Sequence, residues 1–145
     1  MGMSHVDDLE RLLVATHALT RVAAVETGNT APSAQWRALA ILSEHGQLRL
    51  GELAALGRVT QPGMTRLIGI MAAAGLVERA ADASDSRVTL VTATSRGLET
   101  YAAWRKQLAE ALLPRFADLD SAEWEALHTV VGVLAARTGA AVETR

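Results

Sequence analysis

Two arginines of this chain sit in contrasting local settings, although the net charge is −2. Arg66 lies in TQPGMTRLIGIM, where Thr60 suits a helix N-cap and Pro62 is tolerated in the first turn. Met64, Leu67, Ile68 and Met71 recur at i, i+3, i+4, i+7 and predict one buried stripe. Gln61, Pro62, Thr65 and Arg66 fall outside that stripe and face away from the core. A helix N-terminus carrying polar side chains suits phosphates and base edges. Arg87 instead follows ADASDS, a loop rich in Asp and Ser, and precedes the β-branched run VTLVT. An arginine at a hairpin tip is attracted by the negative potential of a narrow DNA minor groove. The chemistry these residues suggest is recognition of a polyanion.

Other chemistries find less support. There are no cysteines, which excludes disulfides, thiolate metal sites and cysteine redox sensing. The four histidines, His5, His17, His45 and His128, show no H-x₃-H spacing and no clustered carboxylates, so no metal or cofactor is expected. No G-x-S-x-G, phosphate loop or Cys-His pair is present, and an enzyme is not expected. Trp36, Trp104 and Trp124 read as core or interface anchors.

These residues need a scaffold, and composition bounds it. The 145 residues suffice for one domain with dimerisation extensions. Half are hydrophobic and only 3% aromatic; Ala and Leu dominate, which favours helix. That apolar content exceeds what one small core needs and points to a partner subunit. No apolar run reaches the roughly 18 residues of a membrane span. The start, MGMSHVDDLE, is polar and acidic, unlike a signal peptide, and the expected location is the cytoplasm. Between Arg49 and Arg96, six arginines face four acids, so this middle is weakly basic between acidic arms.

The pattern predicts a mainly α chain with a small β-wing. A helix runs from Val6 to about Glu26, ended by Gly28-Asn29. After a short loop, Ser33 serves as N-cap for a helix over Gln35–His45 with Gly46 beyond it. A short helix over Leu50–Leu56 is closed by Gly57. The Thr60-capped helix ends at Gly75, and strands follow at Leu76–Ala80 and Arg87–Thr92 around the hairpin loop. A helix runs from Ser95 to Leu113, and Pro114 should kink or end it. Asp120 and Glu123 form a capping box for a last helix to about Arg137, and the tail from Thr138 reads as frayed.

Short helix, tight turn, capped helix and β-hairpin make a winged helix-turn-helix. The segments SAQWRALAIL, LGELAALGRVTQPGMTRLI, AAGLVERAADASDSR and TATSRG, spanning Ser33 to Gly97, resemble the MarR family of bacterial transcriptional regulators. The resemblance implies a winged lobe over 33–97 and dimerisation helices over 6–28 and 98–137. It implies a homodimer on a pseudo-palindromic operator in double-stranded DNA, repressor-like in action. Gln61, Pro62, Gly63, Thr65 and Arg66 fall on the family's major-groove surface, Arg87 on its minor-groove wing residue, and Asp85 on the acid that orients it. Ser33, Arg49 and Arg58 are further phosphate-contact candidates. Many relatives bind small aromatic or phenolic anions, for which His17, Trp36 and Arg37 are the candidate lining residues. The chain departs from the pattern at three places. Ser86 replaces a second wing basic residue, Ala80-Ala81 replace Arg-Pro, and Gly69-Ile70 replace an Asp-Arg pair of the recognition helix. These losses leave open an alternative, a winged-helix protein-interaction dimer with weak or no DNA binding.

Overall fold

The computed structural model describes residues 2–28 and 32–140. Helix α1 (His5–Thr27) starts where Ser4 Oγ accepts the Asp7 N–H and the Asp7 carboxylate accepts the Ser4 N–H; it ends at a left-handed Gly28. Helix α2 (Ser33–His45) begins two residues earlier than expected. Extended Pro32, not Ser33, is its N-cap residue, and no side chain caps it; Ser33 is already helical. Next come strand β1 (Leu48–Arg49) and helix α3 (Leu50–Gly57). The short strand β1 was not foreseen. Helix α4 (Gln61–Ala73) follows, with Thr60 Oγ1 accepting the Gly63 N–H at 3.2 Å.

Strands β2 (Val77–Ala81) and β3 (Thr89–Ala93) form the hairpin, each shifted one or two residues later than the pattern suggested. Helix α5 (Ser95–Leu112) passes into a 3₁₀ turn (Leu113–Phe116) at Pro114, and helix α6 (Ser121–Thr138) carries the expected Asp120–Glu123 capping box. Asn29 of the expected helix end, the first two residues of the expected loop 30–32, and the end of the tail, 141–145, lie outside the described residues.

Contacts divide the chain into two units, 1–30 with 104–118 and 31–103 with 119–145. In the first, the Arg115 guanidinium binds the Glu26 carboxylate from Nε at 2.6 Å, tying the 3₁₀ turn to α1. The second holds the winged lobe. Its three-stranded antiparallel sheet has the order β1-β3-β2, with Leu48 opposite Val91 and Val77 opposite Ala93. The core comprises Leu39 and Leu42 of α2, Leu53 and Ala54 of α3, Met64, Ile68 and Met71 of α4, and Val77 and Val91 of the sheet. The predicted stripe of α4 is therefore the buried face, with Leu67 at its half-buried margin.

Two glycines are placed by packing. Gly57 was expected to close α3, but it is the helix's last residue, and the left-handed position falls on Arg58 at φ 55°. Gly57 is buried, and a Cβ there would sit 3.3 Å from Met64 Cε. Gly97 is buried where α5 meets β2. A Cβ there would overlap the Leu76 carbonyl oxygen and lie 3.3 Å from Leu39 Cδ2. Thr94 fixes this junction: its Oγ1 donates to Gly75 O at 2.6 Å and accepts the Gly97 N–H at 3.0 Å. Gly75 itself, at φ 77°, makes the left-handed turn that ends α4.

Candidate nucleic-acid interface

The capped end of α4 presents Gln61, Pro62, Thr65 and Arg66 to solvent, as the stripe on its other side requires. Among the described residues Arg66 has no hydrogen-bond or ion-pair partner, so its guanidinium is available to an anion. Thr65 Oγ1 is engaged locally, donating to Gln61 O at 2.9 Å. Gly63 differs from its neighbours. It is half-buried, and the position of a Cβ is filled by Thr60 Oγ1 at 2.9 Å and Val59 Cγ1 at 3.1 Å. Glycine at 63 thus makes room for the cap that starts the helix.

The wing is built by two aspartates. Asp82 Oδ1 accepts the Ser84 N–H at 3.0 Å and its hydroxyl at 2.9 Å, and the Asp82 N–H donates to Val88 O at 2.9 Å, closing the loop. The other Asp82 oxygen lies 3.5 Å from Arg49 Nη2, joining the hairpin to the β1–α3 junction. Asp85 Oδ1 accepts the Arg87 backbone N–H at 3.0 Å and its Nε at 3.1 Å, while Oδ2 accepts Nη2 at 3.3 Å. This fork holds a guanidinium whose side chain is 90% exposed. Arg87 lies in the turn before β3, not within the strand.

Both carboxylates are held below the ordinary value of 3.8. For Asp82 the main cause is the Ser84 backbone donor, then the Ser84 hydroxyl, with Arg49 adding to them. For Asp85 it is the Arg87 side chain, then the Arg87 backbone N–H. Donors to a carboxylate favour its charged form. The wing therefore carries two fixed anions, each committed to neighbouring donors.

Between α4 and the wing runs an open cleft of about 460 Å³, lined by Arg49, Gly51, Glu52, Gln61, Thr65, Arg79, Arg87 and Thr89, among others. It gathers two of the predicted helix residues, Gln61 and Thr65, with the predicted wing arginine. It adds Arg79 and gives Arg49, a phosphate candidate from the sequence, a definite place. Ser33 opens α2 and Arg58 ends α3; neither lines this cleft.

The three ligand candidates lie elsewhere. Trp36 is half-buried and meets Tyr101 edge-on with ring centroids 5.0 Å apart. Arg37 Nη1 donates to Gly57 O at 3.3 Å, satisfying a carbonyl in the last turn of α3. His17 is exposed on α1, in the other unit, with Nδ1 3.0 Å from Leu13 O. Among the described residues, no three of His, Asp and Glu are grouped as metal ligands, and no helix is long and apolar enough to cross a membrane.

A capped helix with an exposed polar face beside a hairpin with an anchored arginine defines a winged helix-turn-helix regulator. The model of the MarR family matches residues 30–88. A helix-turn-helix transcriptional regulator of Mycobacterium tuberculosis is 35% identical over 102 residues, covering 70% of this chain and 71% of that one. The chain belongs to the MarR family of transcriptional regulators. Solved structures share the fold. Rv1404 of Mycobacterium tuberculosis aligns with a TM-score of 0.75 at 22% identity, over 99% of this chain and 100% of that one. NadR, solved with 4-hydroxyphenylacetate, aligns at 0.57 and 24% identity, over 93% and 96%.

Proposed function

We propose that this regulator acts as a homodimer that binds a pseudo-palindromic operator and represses by occupying it. The observation that carries DNA contact is the solvent-directed Arg87, held by Asp85 beside the exposed polar start of α4. In this reading Gln61, Pro62, Thr65 and Arg66 meet the major groove, with Gly63 shaping the turn behind them, and Arg87 enters the adjacent minor groove. Half-sites then lie about one helical turn, roughly 10 bp, apart.

Dimerisation is supported by what the single chain leaves uncovered. Helix α6 buries no residue, although Trp124, Leu127, Val130, Val131 and Val133 lie along it, and Val6, Leu9, Leu13 and Val14 of α1 are equally open. Apolar faces of this kind are covered by a partner in a stable protein. A small aromatic or phenolic acid is the proposed effector, suggested by the ligand of NadR, with His17, Trp36 and Arg37 as candidate contacts.

A second reading rests on Ile70, 57% exposed on the second half of α4, and on Ser86 in the wing. Here the winged dimer binds protein, and DNA weakly or not at all. Footprinting of the protein on the DNA upstream of its own gene, paired with light scattering, separates the two. A dimer protecting two half-sites is expected. A stable monomer at micromolar concentration, or no protection above that of unrelated DNA, would overturn the operator reading.

A further inference from the structure

We propose that Arg79, on β2, is a contact to the DNA backbone: an unneutralised cation in the cleft between α4 and the wing, over which one phosphate strand passes. This rests on the DNA-binding function proposed above. The two grooves of a duplex are separated by one phosphodiester strand. Elements placed in adjacent grooves straddle that strand, so the cleft between them is where it must lie.

Three arginines line that cleft, and two are already paired: Arg49 with Asp82 at 3.5 Å, and Arg87 with Asp85 at 3.1 Å. Among the described residues, Arg79 has no carboxylate within ion-pair distance. The strand geometry explains why. Side chains alternate along a strand, so Arg79 shares the face of buried Val77, towards α4, while Glu78 points the other way. Glu52, the acid lining the same cleft, accepts the Arg49 backbone N–H at 3.1 Å. On α4 the Arg79 side chain passes over Gly69. Arg79 Nη1 lies 3.9 Å from where a Gly69 Cβ would be, and glycine offers it no partner.

Gly69 stands where the resemblance expects an aspartate. A carboxylate extending from that Cβ position would reach the guanidinium and neutralise it. Its absence leaves one positive charge free in the cleft. That charge offsets the basic residues replaced by Ser86 and Ile70.

The test measures affinity against salt, using a duplex that the parent protein selects from a random library. Each phosphate contact contributes about 0.9 to the slope of log K against log salt. Arg79→Ala should make the slope shallower by about 0.9 per subunit, and Arg79→Lys should restore it, because a point charge suffices for a phosphate. Gly69→Asp should flatten the slope by a similar amount, whereas Gly69→Ala should not. If Arg79→Ala is too unstable to assay, Arg79→Gln keeps the stem and removes only the charge. An unchanged slope in the neutral variants, while Arg87→Ala flattens it, overturns this inference and leaves the operator reading standing. No salt-dependent binding by the parent overturns both.

Discussion

Two helical glycines should respond in opposite directions to the same substitution. In an isolated helix, Gly→Ala gains about 1 kcal/mol. At Gly69 of α4 the added methyl meets only Arg79 Nη1, at an ordinary contact distance of 3.9 Å, so most of that gain should appear. At Gly97 of α5 the methyl would overlap the Leu76 carbonyl and press on Leu39 Cδ2 at 3.3 Å. Neither neighbour can yield easily. Leu39 is fully buried, and Leu76 O already accepts the Thr94 N–H at 3.1 Å. Overpacking of this kind costs about 1–3 kcal/mol, and a clash with backbone falls at the upper end, so the net change should be about −2 kcal/mol. With a urea m-value of about 2 kcal/mol/M, Gly97→Ala should lower the unfolding midpoint by about 1 M, and Gly69→Ala should raise it by about 0.5 M. Gly63→Ala should fall between them, because its methyl meets the Thr60 hydroxyl at 2.9 Å and competes with the cap. The assay is urea unfolding followed by far-ultraviolet circular dichroism. A midpoint for Gly97→Ala that rises like that of Gly69→Ala would refute the tight approach of α5 to β2.

Arg87→Ala should weaken operator binding and flatten its salt dependence by about 0.9 per subunit, with the melting temperature unchanged, since the side chain is 90% exposed; parent-like binding at every salt concentration would remove the wing from the interface. Asp85→Ala should reproduce part of that defect, because the freed arginine must lose more rotamer freedom on binding. The wing's pH response follows from the depressed carboxylates. Their folded pKa values lie below 3.8, so their contribution is complete above that value and is lost only as pH falls through the depressed one. The ratio of parent to Arg87→Ala affinity should therefore agree between about pH 6 and about pH 8, as measured by fluorescence anisotropy; a change beyond about twofold would implicate another titrating group. Ile68→Ala, in the fully buried stripe of α4, should cost about 2–5 kcal/mol in the same urea assay, and a cost under 1 kcal/mol would place that stripe outside the core.

Local chemistry was legible because its partners lie within a few residues of each other. Thr60 and Asp120 each cap a helix through an N–H three residues on, and Asp85, which the family resemblance pairs with Arg87, reaches it two residues on. The Met64–Met71 stripe was readable for the same reason: a period of 3.6 residues needs no knowledge of what it packs against. Two residues, Leu48 and Arg49, are too few to show any period. They form a strand only because β3 offers an unpaired edge beside them. Gly57 looks like a terminator in sequence and Gly97 like an ordinary helix residue, but close approach between elements set the role of both. The pairing of Arg49 with Asp82, and the freedom of Arg79 above Gly69, likewise depend on the sheet lying against α3 and α4. The sequence by itself marked the helices and the caps of α4 and α6, since those bonds close within a turn, but not the start of α2, where Pro32 rather than Ser33 is the N-cap residue. Which cations are neutralised, and which remain open to a phosphate, was decided by tertiary structure, because charges pair by distance in space rather than along the chain.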